Sequence, residues 1–140
     1  MVTVVDLLET LHELDVRKEA LSAIGRTGSD ILYLNREQLL HGIRADKTQL
    51  PDYSYISVTM FGKPAGPIML YDTGAFHESF QLDVDSQDFE ILADDIYELE
   101  TRYGEEIYGL TPTNQEYYNQ EVFFPEFTES IEDVTGLVFN

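Results

Sequence analysis

Leu70-Tyr71-Asp72-Thr73-Gly74-Ala75-Phe76-His77-Glu78-Ser79-Phe80 lies at the middle of the 140-residue chain. Asp72-Thr73-Gly74-Ala75 supports two incompatible accounts. In one, Asp72 is a catalytic carboxylate. In the other, Thr73 and Gly74 turn the backbone between a loop and a strand, with Asp72 capping backbone N–H groups, and no chemistry follows. The segments on either side decide between them.

Downstream, Phe76, Ser79, Phe80, Leu82 and Val84 mix aromatics with alternation and predict a strand. Asp85-Ser86-Gln87-Asp88 is a polar turn, and Phe89, Ile91 and Leu92 resume the alternation. Two such runs predict a β-hairpin after residue 74. Asp94 or Asp95 then caps a short helix with Ile96, Leu99 and Tyr103 on one face and Gly104 at its end. Ile107-Tyr108-Gly109-Leu110 reads as a short connector. Thr111-Pro112 predicts a helix with proline at its first position, running to about Thr135 with Gly136 as C-cap. Pro125 lies inside that pattern and predicts a kink or break.

Upstream, Thr3 to Leu14 carries a helical stripe of Val4, Leu7, Leu8, Leu11 and Leu14, with Thr3 as N-cap and Asp6 three residues on. Asp15 caps a second helical stretch through Ile24, and Gly25 and Gly28 then break or loosen the pattern. Ser29 or Asp30 starts a third helix ending at His41-Gly42, with Asn35, Arg36, Glu37 and Gln38 as its polar side. Residues 43–70 then read as a long irregular loop. Pro51, Pro64 and Pro67, with Gly62 and Gly66, exclude a long helix, and Tyr53 to Met60 alternates loosely enough for a short strand. Loops of this length in compact domains usually carry interactions. Strands grouped together between helices predict an α+β class: one domain over residues 1–140, a small antiparallel sheet packed with N-terminal and C-terminal helices.

Composition bounds the function. No apolar run approaches the ~20 residues needed to cross a bilayer, and the N-terminus does not read as a secretory signal. The absence of cysteine excludes disulfides, thiolate metal sites and cysteine nucleophiles. Net charge is -19, and it is unevenly spread. Residues 51–140 hold nineteen acids against only Lys63 and Arg102. Such a surface repels phosphate, so specific nucleic-acid binding is not expected. It suits a solubilising surface, a face for a basic partner, a passage through which DNA slips without sticking, or a DNA mimic.

Each chemical motif is weak. Asp72-Thr73-Gly74-Ala75, preceded by Met69-Leu70, resembles the active-site word of retropepsin-like aspartic proteases, in which two carboxylates of a homodimer share a proton. That word belongs early in a nearly all-β chain and before a glycine-rich flap. Here it follows helical patterns, the last third reads as helix, and residues 75–103 contain no glycine. His12, His41 and His77 have no histidine or cysteine at metal-ligand spacing. Asp83, Asp85, Asp88 and Glu90 lack the central glycine and terminal glutamate of an EF-hand loop. Gly25-Arg26-Thr27-Gly28 lacks the lysine and length of a P-loop. No cofactor, metal or catalytic residue is expected.

The ordered segments carry a resemblance. Asn35-Arg36-Glu37-Gln38-Leu39-Leu40, then Gly42, lead to Pro51, Tyr53-Ser54 and Gly62-Lys63. Leu70 to Phe80 follows, then Arg102-Tyr103-Gly104 and Ile107-Tyr108-Gly109-Leu110-Thr111. This set, across roughly residues 30–115, is similar to small virion proteins of tailed bacteriophages, in the virion-morphogenesis and tail-completion (head–tail connector) class. The resemblance implies a structural, non-enzymatic component of the virion, assembled in the host cytoplasm. It implies a homo-oligomeric ring in the neck or tail that touches other neck, tail or portal proteins. The loop 43–70 and the closing helix are expected to meet neighbours, through Tyr53, Tyr55, Phe61, Phe123, Phe124 and Phe127. The alternatives are a retropepsin-like homodimeric protease using Asp72 and an acidic DNA-mimic inhibitor.

Overall fold

The computed structural model describes residues 3–6, 9 and 15–136. The expected first helix, with His12 and most of its leucine stripe, lies largely outside the described residues. Its cap does not. The Asp6 amide donates to Thr3 Oγ1 at 3.1 Å, and the Asp6 carboxylate accepts from the Thr3 amide at 3.0 Å. This is a reciprocal capping box with aspartate in the glutamate position.

Helix α1 (Val16–Arg26) starts at Asp15, whose carboxylate accepts from the Lys18 amide. Gly25 does not break it, contrary to expectation. It ends at Thr27, which leaves helical geometry at φ -105° and ψ 14° and folds its hydroxyl back onto Ala23 O at 2.8 Å. That hydroxyl also meets the Tyr118 hydroxyl at 2.7 Å. Helix α2 (Gly28–Leu40) begins at once rather than at Ser29 or Asp30. Gly28 is buried against β1, and a Cβ there would lie 2.9 Å from Leu82 Cδ2, so glycine lets the helix approach the hairpin. At the other end, the Ile43 amide donates to Gln38 O and the Gly42 amide to Leu39 O, a Schellman cap with Gly42 at φ 72°.

The 43–70 segment has more structure than expected. Ile43 bridges Gln49 and Asp52 bridges Pro67. The Tyr53 amide donates to Gly66 O and the Ile68 amide to Pro51 O. The expected strand at Tyr53–Met60 is instead helix α3 (Tyr55–Phe61). Ser54 Oγ accepts from the Ser57 amide at 3.1 Å, and Gly62 closes the helix in the left-handed region. These caps outweigh a loose alternation.

The strand expected from Phe76 begins only at Gln81. Ala75–Glu78 form one helical turn, α4, and Phe76 and Phe80 are buried in the core rather than entering the sheet. The hairpin follows as expected. Strands β1 (Gln81–Val84) and β2 (Phe89–Leu92) pair antiparallel, with Leu82 opposite Ile91. Asp85 Oδ1 accepts from the amides of Gln87 and Asp88, which fixes the turn. Helix α5 (Leu99–Tyr103) is capped by Asp95, which accepts from the amides of Leu99 and Glu100. Ile96 precedes this helix and is exposed, contrary to its assignment to the packed face.

After a 3₁₀ turn at Glu105–Ile107 comes the connector, then α6 (Pro112–Tyr118) with Thr111 as its cap. A π turn (Asn119–Phe123) joins α6 to α7 (Phe124–Thr135), and Gly136 ends the run at φ 72°. The helix is not interrupted at Pro125. The carbonyl four residues before a proline lacks its donor, and here that carbonyl belongs to Glu121, inside the π turn.

The main correction concerns α2. Asn35 and Gln38 are not on a polar, solvent-facing side; both are buried. Asn35 Nδ2 donates to Ile107 O at 3.0 Å and Asn35 Oδ1 accepts from the Gly109 amide at 2.9 Å. Gln38 Nε2 donates to Gly109 O, and its Oε1 accepts from the Thr111 amide, each at 2.9 Å. Two side-chain amides, one helical turn apart, thus pair with the 107–111 backbone as a neighbouring strand would. This attachment sits beside the apolar core of Leu39, Leu50, Leu70, Phe76, Phe80 and Ile107. The result is a small α+β fold: a two-stranded sheet among helices.

Candidate functional site

The Asp72-Thr73-Gly74 word ties three segments together. Gly74 takes φ 90°, and a Cβ there would lie 2.8 Å from the Tyr71 hydroxyl oxygen. Thr73 Oγ1 accepts from the Ala75 amide at 3.3 Å. Asp72 does not cap backbone N–H groups as expected; its carboxylate meets Lys63 Nζ at 3.3 Å, with the Asp72 side chain 74% exposed. The same ammonium donates to Tyr71 O at 3.0 Å and lies 5.7 Å from the centre of the Tyr53 ring. Lys63 therefore latches the end of α3 to the turn.

His77 completes the turn from inside. One ring nitrogen, Nε2, lies 2.9 Å from Met69 O, so it carries the proton and donates. Nδ1 is buried with no partner among the described residues. The ring stacks on Phe80 at 6.0 Å and tilts against Tyr71 at 5.5 Å. Burial holds the His77 pKa below its usual value, with the Arg36 charge acting in the same direction.

Beside this turn a groove of about 490 Å³ opens between the 68–76 segment and α5, with Tyr53 and Lys63, the residues flanking α3, at its margin. Its lining includes Tyr53, Lys63, Leu70, Tyr71, Tyr97 and Arg102. The adjoining surface is strongly apolar. Tyr55, Ile56, Met60 and Phe61 on α3 are between 62% and 83% exposed, and Ile96 and Tyr97 beside α5 are 76% and 60% exposed. Residues 53–62 contain no charged side chain.

The expected interface residues divide accordingly. Tyr55, Phe61 and Phe124 face solvent. Tyr53 is half-buried and its hydroxyl accepts from the Met69 amide at 3.2 Å, so it braces the loop. Phe123 stacks on Phe127 at 5.4 Å, both half-buried, and holds the π turn against α7. Sequence gives Ile56, Met60 and Tyr97 no role at an interface, and it places Ile96 on the packed face of a helix. The signal for the first two was the uncharged run 53–62 in so acidic a chain.

No group of three or more His, Asp or Glu side chains able to hold a metal ion gathers among the described residues. No helix among them is long and apolar enough to cross a membrane. The arrangement suits adhesion: apolar side chains on a capped helix, beside an aromatic groove. Comparison with models of protein families, with curated proteins and with solved structures found no match.

Proposed function

We propose that the protein is a structural, non-enzymatic component of a tailed-phage virion that self-associates into a ring in the neck or tail. One observation carries the reading. Helix α3 holds four large apolar side chains out into solvent within a ten-residue uncharged run of a chain with net charge -19. Copies of so acidic a chain repel, and they approach more easily where one of them presents an uncharged face. Large exposed apolar patches mark protein contacts. Capping at both ends of α3, and the Lys63 latch, hold the patch in one conformation, which lowers the ordering cost of binding.

The rest of the surface fits the same role. The acids beyond residue 50, set around a central opening, would repel DNA phosphates and let duplex pass without adhering. The pairing of Asp72 with Lys63 favours an architectural over a catalytic use of that carboxylate. Native mass spectrometry and negative-stain imaging of the purified protein test the reading. Rings are expected; a monomer at all concentrations contradicts it.

A further inference from the structure

Residues 51–140 hold two Lys or Arg side chains, Lys63 and Arg102, and both line the groove between the 68–76 segment and α5. Lys63 is occupied by Asp72, Tyr71 O and the Tyr53 ring. Arg102, exposed in the last turn of α5, makes no ion pair among the described residues. The lining also includes two acids, Asp72, paired with Lys63, and Asp94; among its aromatic and apolar side chains the Arg102 guanidinium suits a particular ligand group, an aromatic ring with a carboxylate beside it.

The chain displays such a group elsewhere. Tyr117, Glu121 and Phe124 are all exposed along α6, the π turn and α7. Spacings of four and three residues place them along one side of a helical run. Their backing is rigid, because Phe123 packs edge-on against Phe124 and stacks on Phe127. The neighbouring acid Glu126 is paired with Arg26 at 2.6 Å, whereas Glu121 makes no ion pair among the described residues. The stripe spans the π turn, a rare feature found often at functional sites.

We infer that the groove of one copy receives the Tyr117–Glu121–Phe124 stripe of a second copy, with Arg102 set against Glu121. This rests on the self-association proposed above and specifies its chemistry. The groove and the stripe lie on different elements, so the contact is heterologous and each copy offers both halves. Such a contact propagates head to tail and closes into a ring when the rotation permits. Helix α3 stands at the groove edge, where Tyr53 and Lys63 flank it, and its apolar side chains are covered by the same neighbour.

Charge reversal tests the pairing. Arg102→Glu, Glu121→Arg and the double variant are compared with the unaltered protein by sedimentation velocity, with circular dichroism as a control for folding. Both side chains are exposed, so the far-ultraviolet spectrum should not change. Each single reversal is expected to weaken association by roughly tenfold or more, through like charges facing each other. The double variant, and an equimolar mixture of the two single variants, should regain assembly. If the unaltered protein assembles and the single variants assemble equally well, the contact is wrong while self-association stands. If α3 variants dissociate the assembly but Arg102→Glu does not, the contact is likewise overturned. A monomeric unaltered protein overturns both the contact and the ring.

Discussion

Asn35 donates to one backbone carbonyl of the 107–111 connector and accepts from one amide, so a single buried side chain satisfies two polar groups of a segment with no strand partner. Truncation should therefore cost more than a surface change. Asn35→Ala leaves Ile107 O and the Gly109 amide without it, and stability should fall by about 2–6 kcal/mol, at about 1–3 kcal/mol per orphaned group. The shift of a urea midpoint at unchanged slope measures this; no shift would mean the amide does not hold the connector. His77 gives a second expectation at this scale. Its folded pKa lies below the unfolded 6.5, so between those values the unfolded chain binds more protons. Stability is therefore intact above pH 6.5 and falls as pH drops through that window. Melting temperature measured between pH 7.5 and pH 5.5 should decline, with a flatter profile in His77→Phe. An equal slope in the variant would remove His77 as the cause.

The elements differ in how far sequence alone discloses them, and locality explains the difference. The hairpin was legible because Asp85 fixes its turn with the amides of residues two and three positions away. The starts at Asp15 and Thr111 and the stop at Gly136 were legible for the same reason. Helix α3 was not, because its aromatics alternate loosely and its decisive features are two short caps, Ser54 and Gly62. The burial of Asn35 and Gln38 was hidden because their partners lie more than seventy residues away. At the candidate site, aromatic identity marked the right neighbourhoods but not which rings turn outward. The central turn tests the architectural reading. Gly74→Val demands a left-handed φ from a β-branched residue and thrusts its Cβ at the Tyr71 hydroxyl, so it should destabilise by several kcal/mol, to judge from known costs of backbone strain of about 1–3 kcal/mol plus overpacking of similar size. Asp72→Asn removes one exposed ion pair and should change stability by less than about 1 kcal/mol. Comparable losses in the two variants, read by thermal melting, would contradict that reading.

Across the whole molecule, charge and apolar exposure are segregated. Residues 1–50 are nearly balanced, with eight acids and six basic side chains, while nineteen acids crowd the rest of the chain. Against that background α3 is an uncharged, apolar helix held firmly at the surface. Self-association as proposed places the meeting of copies at α3. The most direct measurement is sedimentation velocity of the unaltered protein beside Ile56→Asp combined with Met60→Asp, over a wide range of concentration. Both side chains are exposed, so the variant should keep its fold. If copies meet at α3, the unaltered protein is a discrete oligomer and the variant a folded monomer. A monomer for both, or the same oligomer for both, would contradict a meeting at α3.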